Sequence, residues 1–423
     1  MKNEKEKNNY DILFIGGVYE EGKEGEYLAK SSRGGIQNAV NTHQWNFIKG
    51  IDSNNRKPID ILSARYVESY PHYKDIYVRE NKWHHVEGAN DENIGFLNIK
   101  IVKNLMRKVK LEIKAKKWVK KHLNSDKVII CYYPSIPQMN ATLKSKKAYK
   151  KIKTILIIPD IPKYMDLRNK KNKIKKIFND WMEKKQDKLI KKFDGYILLT
   201  EAMADCLKIK EKPHIVIEGI VNIDDIKEEK NTKKFDKTSI VYSGSLHKKY
   251  GLENYINAIK QINDKNVDFY IFGSGEMEEE IKNLAKVDSR VKFMGYRNRE
   301  EVLEYQRKAT LLINPRVTNE EFVKYSFPSK LVEYMLSGTP VLTTKLPSIP
   351  EEYYKYVYLI DNETKEGIRD SLYKVLDLSE NELAKKGNEA REFIISNKNN
   401  IKQTKKIINC FNLSKGENNE ISI

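Results

Sequence analysis

The chain has 423 residues, 39% apolar and 32% charged, with 78 Lys+Arg against 59 Asp+Glu and a formal net charge of +19. Residues 1–100 carry 14 basic and 15 acidic side chains, residues 101–200 carry 28 and 8, and the remaining 223 residues carry 36 of each. A basic excess confined to one block argues against a chain that is basic throughout to hold nucleic acid, and no helix-turn-helix, RNA-recognition or zinc pattern supports one.

The length suggests two domains, at most three. No run approaches the roughly 18 apolar residues of a membrane span. The opening MKNEKEKNNYD lacks the apolar core of a signal peptide. Cys131, Cys206 and Cys410 lie far apart with no CxxC, and the seven His residues include no HExxH. The expectation is a cytoplasmic protein with no disulfide framework, no metal site and no cofactor.

In chain order, short apolar runs read as strands at 11–18, 59–62, 127–132, 154–158 and 195–199, with helical patterns at 35–49, 99–123 and 170–193 between them. The second half repeats the pattern. Strands are expected at 239–243, 267–272, 291–294, 310–313, 341–343 and 356–359, and helices at 251–262, 276–286, 299–307, 328–337 and 365–377. Alternation of this kind with short connections builds parallel sheets covered on both faces. The polar stretch 221–238 (VNIDDIKEEKNTKKFDKT) has no apolar period and reads as the join. The expected division is an N-terminal domain over 1–225, a C-terminal domain over 226–397, and a helix from 398 that packs back on the N-terminal domain before a frayed tail. Ligands of open parallel sheets bind beyond the carboxyl ends of the strands. Two such domains facing one another would put the site in the cleft between them.

Two helical patterns fall in the basic block. Over 99–123, Ile101, Leu105, Val109 and Ile113 recur at i+4 among Lys103, Lys108, Lys110, Lys114, Lys116 and Lys117. Over 170–193, Ile174, Ile177, Phe178, Trp181, Met182, Leu189 and Ile190 mark a stripe with lysines around it. Two readings stay open. In the more ordinary one the stripes face the core and the lysines are solvated. In the other, part of this face lies on an anionic membrane leaflet, each Lys near the surface contributing about 1 kcal/mol.

The most informative segment runs from Tyr325 to Pro340, YSFPSKLVEYMLSGTP. Pro328 is suited to open a helix, because its missing N–H is not needed there. Ser329 and Lys330 then fall in the first turn, where unpaired backbone N–H groups favour an anion. Glu333 lies one turn on, within reach of a sugar hydroxyl of the same ligand. The spacing alone also fits an ordinary capped helix with a solvated Glu.

Residues 327–342, FPSKLVEYMLSGTPVL, resemble the donor-site signature of GT-B glycosyltransferases of family 4, the glycosyl transferases group 1. VYSGSLHKKYGLENYINAI, FYIFGSGEMEEEI and VKFMGYRNREEVLEYQRKATLLINPR resemble other segments of the family, in the expected order. The resemblance implies an α/β fold of two Rossmann-like doubly wound domains. It implies that Glu333 holds the ribose hydroxyls of a nucleotide-diphosphate sugar and that the amides of Ser329 and Lys330 meet the diphosphate. The loop at Gly244 and Ser245 opens the donor domain, and Lys249, with Lys248 the alternative, neutralises the leaving diphosphate. Gly295, Tyr296 and Arg297 would lie against the base. In the N-terminal half, Gly34 and Gly35 would form the glycine loop approaching the donor phosphates, and Asp160 would face the reacting sugar. Lys249, Asp160 and Glu333 are thus the candidate catalytic residues.

Three positions depart from the family pattern. Tyr325 stands where a first glutamate, eight before Glu333, is usual; Ser245 replaces an Arg; and Pro159 replaces the His of a His-Asp pair. No DxD triplet occurs, so metal-assisted departure is not indicated. The resemblance implies a retaining hexosyltransferase in cell-surface polysaccharide synthesis, such as capsule or exopolysaccharide. Its partners would be a nucleotide sugar and a lipid-linked or oligosaccharide acceptor, with an anionic membrane surface nearby. The alternative is a catalytically degenerate subunit of the same fold that binds or chaperones an active transferase.

Overall fold

The structure, a computed structural model, describes residues 10–32, 38–123, 125–149, 151–165, 173–226 and 232–413. It divides into unit 1, Met1–Ile223 with Asn399–Ile423, and unit 2, Asp224–Lys398.

Unit 1 runs β1 (Asp11–Gly16), α1 (Glu24–Ala29), α2 (Asn38–Asn54), β2 (Asp60–Ser63), β3 (Tyr77–Val78), β4 (Asn81–Trp83), β5 (Asp91–Asn93), β6 (Phe96–Leu97), α3 (Lys100–Lys121), β7 (Lys127–Tyr132), α4 (Ile136–Ala148), β8 (Ile152–Ile158), α5 (Pro162–Met165), α6 (Lys173–Ile190), β9 (Gly195–Leu198), α7 (Ala202–Leu207) and β10 (His214–Val216). Its main sheet has the order β10-β9-β8-β7-β1-β2-β5-β4. Every pairing is parallel except that of β4 with β5. Strand residues alternate between two cores, as the pleat requires. Ile12, Phe14, Val128 and Ile130 pack with Trp45, Phe47, Ile48 and Ile51 of α2. Leu13, Ile15 and Ile129 pack on the other face with Leu111, Ala115 and Val119 of α3 and Ala141 of α4.

Unit 2 runs β11 (Thr238–Ser243), α8 (Leu252–Gln261), β12 (Val267–Phe272), α9 (Glu278–Val287), β13 (Val291–Gly295), α10 (Arg299–Lys308), β14 (Leu311–Asn314), α11 (Ser329–Leu336), β15 (Val341–Thr344), β16 (Tyr358–Ile360), α12 (Lys365–Leu376) and α13 (Glu380–Asn397). Its strands are all parallel, in the order β13-β12-β11-β14-β15-β16. That order, 3-2-1-4-5-6 within the unit, is that of a Rossmann sheet. Ile240, Phe269, Ile271, Leu311 and Ile313 pack against Leu252, Tyr255, Ile256 and Ile259 of α8. The last helix, α14 (Asn400–Cys410), returns to unit 1, where Asn54 donates to the Ile401 carbonyl at 2.8 Å and to Thr404 Oγ1 at 2.9 Å.

Both sheets are therefore doubly wound. Among the described residues, no helix is long and apolar enough to cross a membrane. The ordinary reading of α3 does not hold. Its buried residues are Lys103, Arg107, Leu111, Ala115 and Val119, while Ile101, Leu105, Val109 and Ile113 are all exposed. The cause lies in the loop after β2, whose carbonyls need donors. Lys103 Nζ donates to the Val67 carbonyl, and Arg107 Nη2 donates to that of Ala64 at 2.7 Å. Two cations of α3 thus face inward, and the apolar row is turned out. The stripe of α6 behaves similarly in part: Ile190 is buried, but Ile177 and Trp181 are exposed.

Candidate active site

In unit 2 the strand order reverses between β11 and β14, the place where such sheets bind ligands. The loop leaving β11 ends at Gly251, which has φ +78°, and a Cβ there would lie 1.7 Å from the Pro315 carbonyl oxygen. Only glycine lets this loop lie against the one leaving β14. The contact gathers Lys249, Tyr250, Arg316 and Phe322. Lys249 Nζ sits 4.9 Å from the Tyr250 ring centre and 5.5 Å from that of Phe322. The Arg316 guanidinium lies 5.0 Å over the same Tyr250 ring. Two cations against one aromatic ring concentrate positive charge at the switch point, which suits an anion there. Lys248 is differently placed: its Nζ is 2.7 Å from Glu253, and that hydrogen bond raises its pKa. Lys249 has no acidic partner among the described residues.

Gly244 and Ser245 open this loop. Gly244 N–H donates to the Phe272 carbonyl at 3.1 Å and Leu246 N–H to that of Ser274 at 3.0 Å. A Cβ on Gly273 would lie 1.8 Å from the Gly244 oxygen. The 273–275 segment (Gly-Ser-Gly) therefore backs the loop by direct backbone contact. Ser245 is exposed, and its carbonyl accepts the Tyr242 hydroxyl at 2.9 Å.

Helix α11 starts at the carboxyl edge with Pro328 as its N-cap and no side-chain cap, so Ser329 and Lys330 occupy its first turn. The helix is fixed to β11 by Tyr334, whose hydroxyl accepts from Ser243 N–H at 2.8 Å and donates to the Ser243 carbonyl at 3.1 Å. Glu333, one residue earlier, is largely buried. Its Oε1 accepts from Gln306 Nε2 at 2.9 Å and from Lys330 Nζ at 2.8 Å, and Arg299 Nε is 3.9 Å from its Oε2. Burial alone would raise its pKa, but Lys330, Gln306 and Arg299 together hold it below the ordinary carboxylate range. The group is an anchored anion with unshared acceptor capacity, suited to vicinal hydroxyls. Arg299 also ties in the loop after β13, where Gly295 has φ +65°, Tyr296 is exposed, and Arg297 Nε is 3.4 Å from Glu301. A depression of 410 Å³ lined by Thr344, Lys345, Ile360 and Asp361 shares no residue with this group.

In unit 1, Asp160 follows β8, Tyr132 ends β7 and Tyr133 comes next. Burial and then the Asp160 charge raise the Tyr133 hydroxyl, and the same two influences act on Tyr132 together with Tyr66. His43 Nδ1 is 2.8 Å from the Tyr132 hydroxyl, and burial pushes its pKa down to about 4, so the ring is neutral. Tyr133 has φ 70°, an uncommon backbone conformation for a bulky residue. Gly34 and Gly35 lie outside the described residues. The structure thus joins Lys330 to Glu333 and sets Lys249 at the switch point of the same unit, with Asp160 in the other unit. Sequence reasoning did not single out Gln306, Arg316, Tyr334, Tyr132 or His43. Of these, Gln306, Arg316 and Tyr334 sat in segments carrying the family resemblance, whereas Tyr132 and His43 did not.

Two doubly wound units of this topology define the GT-B fold. The sucrose-phosphate synthase of Thermosynechococcus elongatus is similar over 95% of this chain and 98% of its own, with a TM-score of 0.62 at 12% identity. Residues 237–377 match the family model described as Glycosyl transferases group 1. The match lies within unit 2, so a GT-B, family 4-like fold carries there a domain similar to the glycosyl transferases group 1. The chain is 28% identical over 160 residues to a putative colanic acid biosynthesis glycosyltransferase, WcaL, of Escherichia coli (strain K12), covering 36% of this chain and 39% of that protein. It is 27% identical over 111 residues to the amylovoran biosynthesis glycosyltransferase AmsK of Erwinia amylovora, covering 25% and 27%. The matched stretches span well under half the length of either relative.

Proposed function

We propose that this chain is a glycosyltransferase of polysaccharide synthesis. It moves a hexose, with retention and without a metal ion, from a nucleotide-diphosphate sugar to a lipid-linked glycan acceptor at the cytoplasmic face of the membrane. Breaking the bond from sugar C1 to the diphosphate leaves negative charge on phosphate and an oxocarbenium-like sugar. Groups already aimed at the developing charge lower that barrier most. Lys249, Arg316 and the first-turn amides of α11 are such groups. Glu333 accepts the ribose hydroxyls, Tyr296 stacks on the base, and Asp160 of unit 1 serves the sugar side.

The observation that carries the reading is Glu333. Its carboxylate is kept ionised by Lys330, Gln306 and Arg299 at the start of an uncapped helix, within the segment matched by the family model. The names of the two relatives, glycosyltransferases of colanic acid and amylovoran biosynthesis, support a role in polysaccharide synthesis. Turnover of a panel of nucleotide sugars with lipid-linked acceptors tests the proposal. Transfer by the wild type, with loss in Lys249→Ala and Glu333→Ala, supports it. No transfer across the panel, or full activity in both variants, overturns it.

A further inference from the structure

The outward row of α3 is left unexplained by the sugar-transfer site. Successive α-helical residues turn by about 100°, so Ile101, Leu105, Val109 and Ile113 lie about 160° from the buried row two residues away. They face directly away from the core. Ile101 is 85% exposed, Leu105 64% and Ile113 57%. Isolated exposed apolar residues are ordinary, but a row of four along some 18 Å of one helix is a surface built for contact. Helix α4 packs against both α3 and α6, and α6 adds Ile177 at 70% and Trp181 at 55% exposure.

The charge around the row identifies what it meets. Lys116, Lys117 and Lys120 are exposed at the end of the row and have no acidic partner among the described residues. The block 101–200 that holds both helices carries 28 basic and 8 acidic side chains. A second copy of this chain would set two surfaces of the same net positive charge together, which does not favour self-association. We propose that the outward row of α3, together with Ile177 and Trp181 of α6, is a docking surface for an anionic lipid bilayer. The apolar side chains enter the boundary between headgroups and acyl chains, and the lysines reach the phosphates. Trp181 has the amphipathic ring favoured at that depth. On its reverse face α3 holds the loop after β2 through Lys103 and Arg107, so the docked helix is tied to the carboxyl edge of the unit 1 sheet. This deepens the proposed function and depends on it only for the acceptor being lipid-linked.

The test is co-sedimentation of the full chain with vesicles of phosphatidylcholine alone or mixed with phosphatidylglycerol. Expected is binding to the mixed vesicles about tenfold or more tighter than to the neutral ones. Leu105→Asp with Ile113→Asp should abolish it while leaving the melting temperature unchanged, because neither side chain touches the core. Reversal of Lys116, Lys117 and Lys120 to Glu should remove the preference for the anionic lipid. No binding to either vesicle, equal binding to both, or binding unaltered in the Asp variant would overturn the proposal. So would a dimer that the Asp variant dissociates. Nucleotide binding by the same variant separates the two ideas: if it persists while vesicle binding is absent from the wild type, only the docking surface falls.

Discussion

At the carboxyl edge of unit 2 the polar groups are ions held in a fixed array: Lys249 and Arg316 around one aromatic ring, and Glu333 clamped by Lys330 and Gln306. At the corresponding edge of unit 1, tyrosine hydroxyls and a neutral imidazole lie near Asp160, and the inward cations Lys103 and Arg107 are engaged by backbone carbonyls. Unit 1 has abundant further charge, much of it exposed on α3, as at Lys116, Lys117 and Lys120. The same doubly wound plan thus serves opposite electrostatic ends. An edge lined with preorganised cations suits a leaving diphosphate, and an edge of hydroxyl groups suits a neutral, hydroxyl-rich partner. Net charge, read over the whole chain, conceals this division.

Removing Lys249 should disturb the contrast most. Lys249→Ala should lower kcat by about 100- to 1000-fold, the scale seen when one preorganised charge-stabilising group is lost, with a smaller change in KM. Steady-state kinetics check this. Equal loss in a Lys248→Ala variant would mean that the wrong lysine has been placed at the phosphates, since Lys248 is engaged by Glu253.

The next effect belongs to unit 1 and to stability. His85 is buried between Asp52 and Asp91, its ring nitrogens 2.9 Å and 2.8 Å from their carboxylates. Burial pushes its pKa down, but the two hydrogen bonds outweigh that and raise it to about 9. The folded-state value lies above the ordinary one, so the stabilisation is fully present below about pH 6.5 and is lost as pH rises through about 9. Its size is about 3 kcal/mol. Lys103, pushed down to about 8 by burial and by Arg107, titrates in the opposite sense. The readout is therefore the melting temperature of the wild type minus that of His85→Gln, followed from pH 6 to pH 10. A difference that shrinks across the upper half of that range is expected, and a flat one would remove His85 from the account of unit 1.

The smallest effect sharpens the link between fold and site in unit 2. Tyr334→Phe leaves the buried Ser243 N–H without its acceptor and should cost about 1–2 kcal/mol by denaturant titration. Because Tyr334 fixes α11 beside β11, nucleotide affinity should fall modestly with it. Full stability and affinity together would show that the helix is held by other contacts.

Much of the fold was legible because both sheets are built from short apolar runs between amphipathic helices. The runs at 127–132 and 267–272 coincide with β7 of unit 1 and β12 of unit 2. Of the stretches missed, three show why. The strands β3 to β6 are two or three residues long, too short to show a period. Helix α4 has apolar and polar residues on all sides and no amphipathic stripe. Helix α13 carried a usable sign, the Ser379–Glu382 capping box, which the expected elements passed over. The α3 error is the most instructive. Two rows at i+4 spacing compete on that helix, and hydrophobicity alone favours the wrong one. What decides is a pair of carbonyls, Ala64 and Val67, far away in the sequence. The same holds at the site. Glu333 and Lys249 stood out in their motifs, whereas Gln306 and Tyr334, within the same family-like segments, act through partners on other elements that only folding brings near.

The most direct test of a donor site in unit 2 is calorimetric titration of UDP, GDP and inorganic pyrophosphate into the full chain and its Glu333→Ala variant. Expected is saturable binding of one nucleoside diphosphate by the wild type, weakened about tenfold or more in the variant, as loss of a charged hydrogen-bond acceptor implies. Pyrophosphate, which lacks the ribose, should bind both equally. Nucleoside diphosphate binding that is absent from the wild type, or unchanged by removal of Glu333, would contradict it.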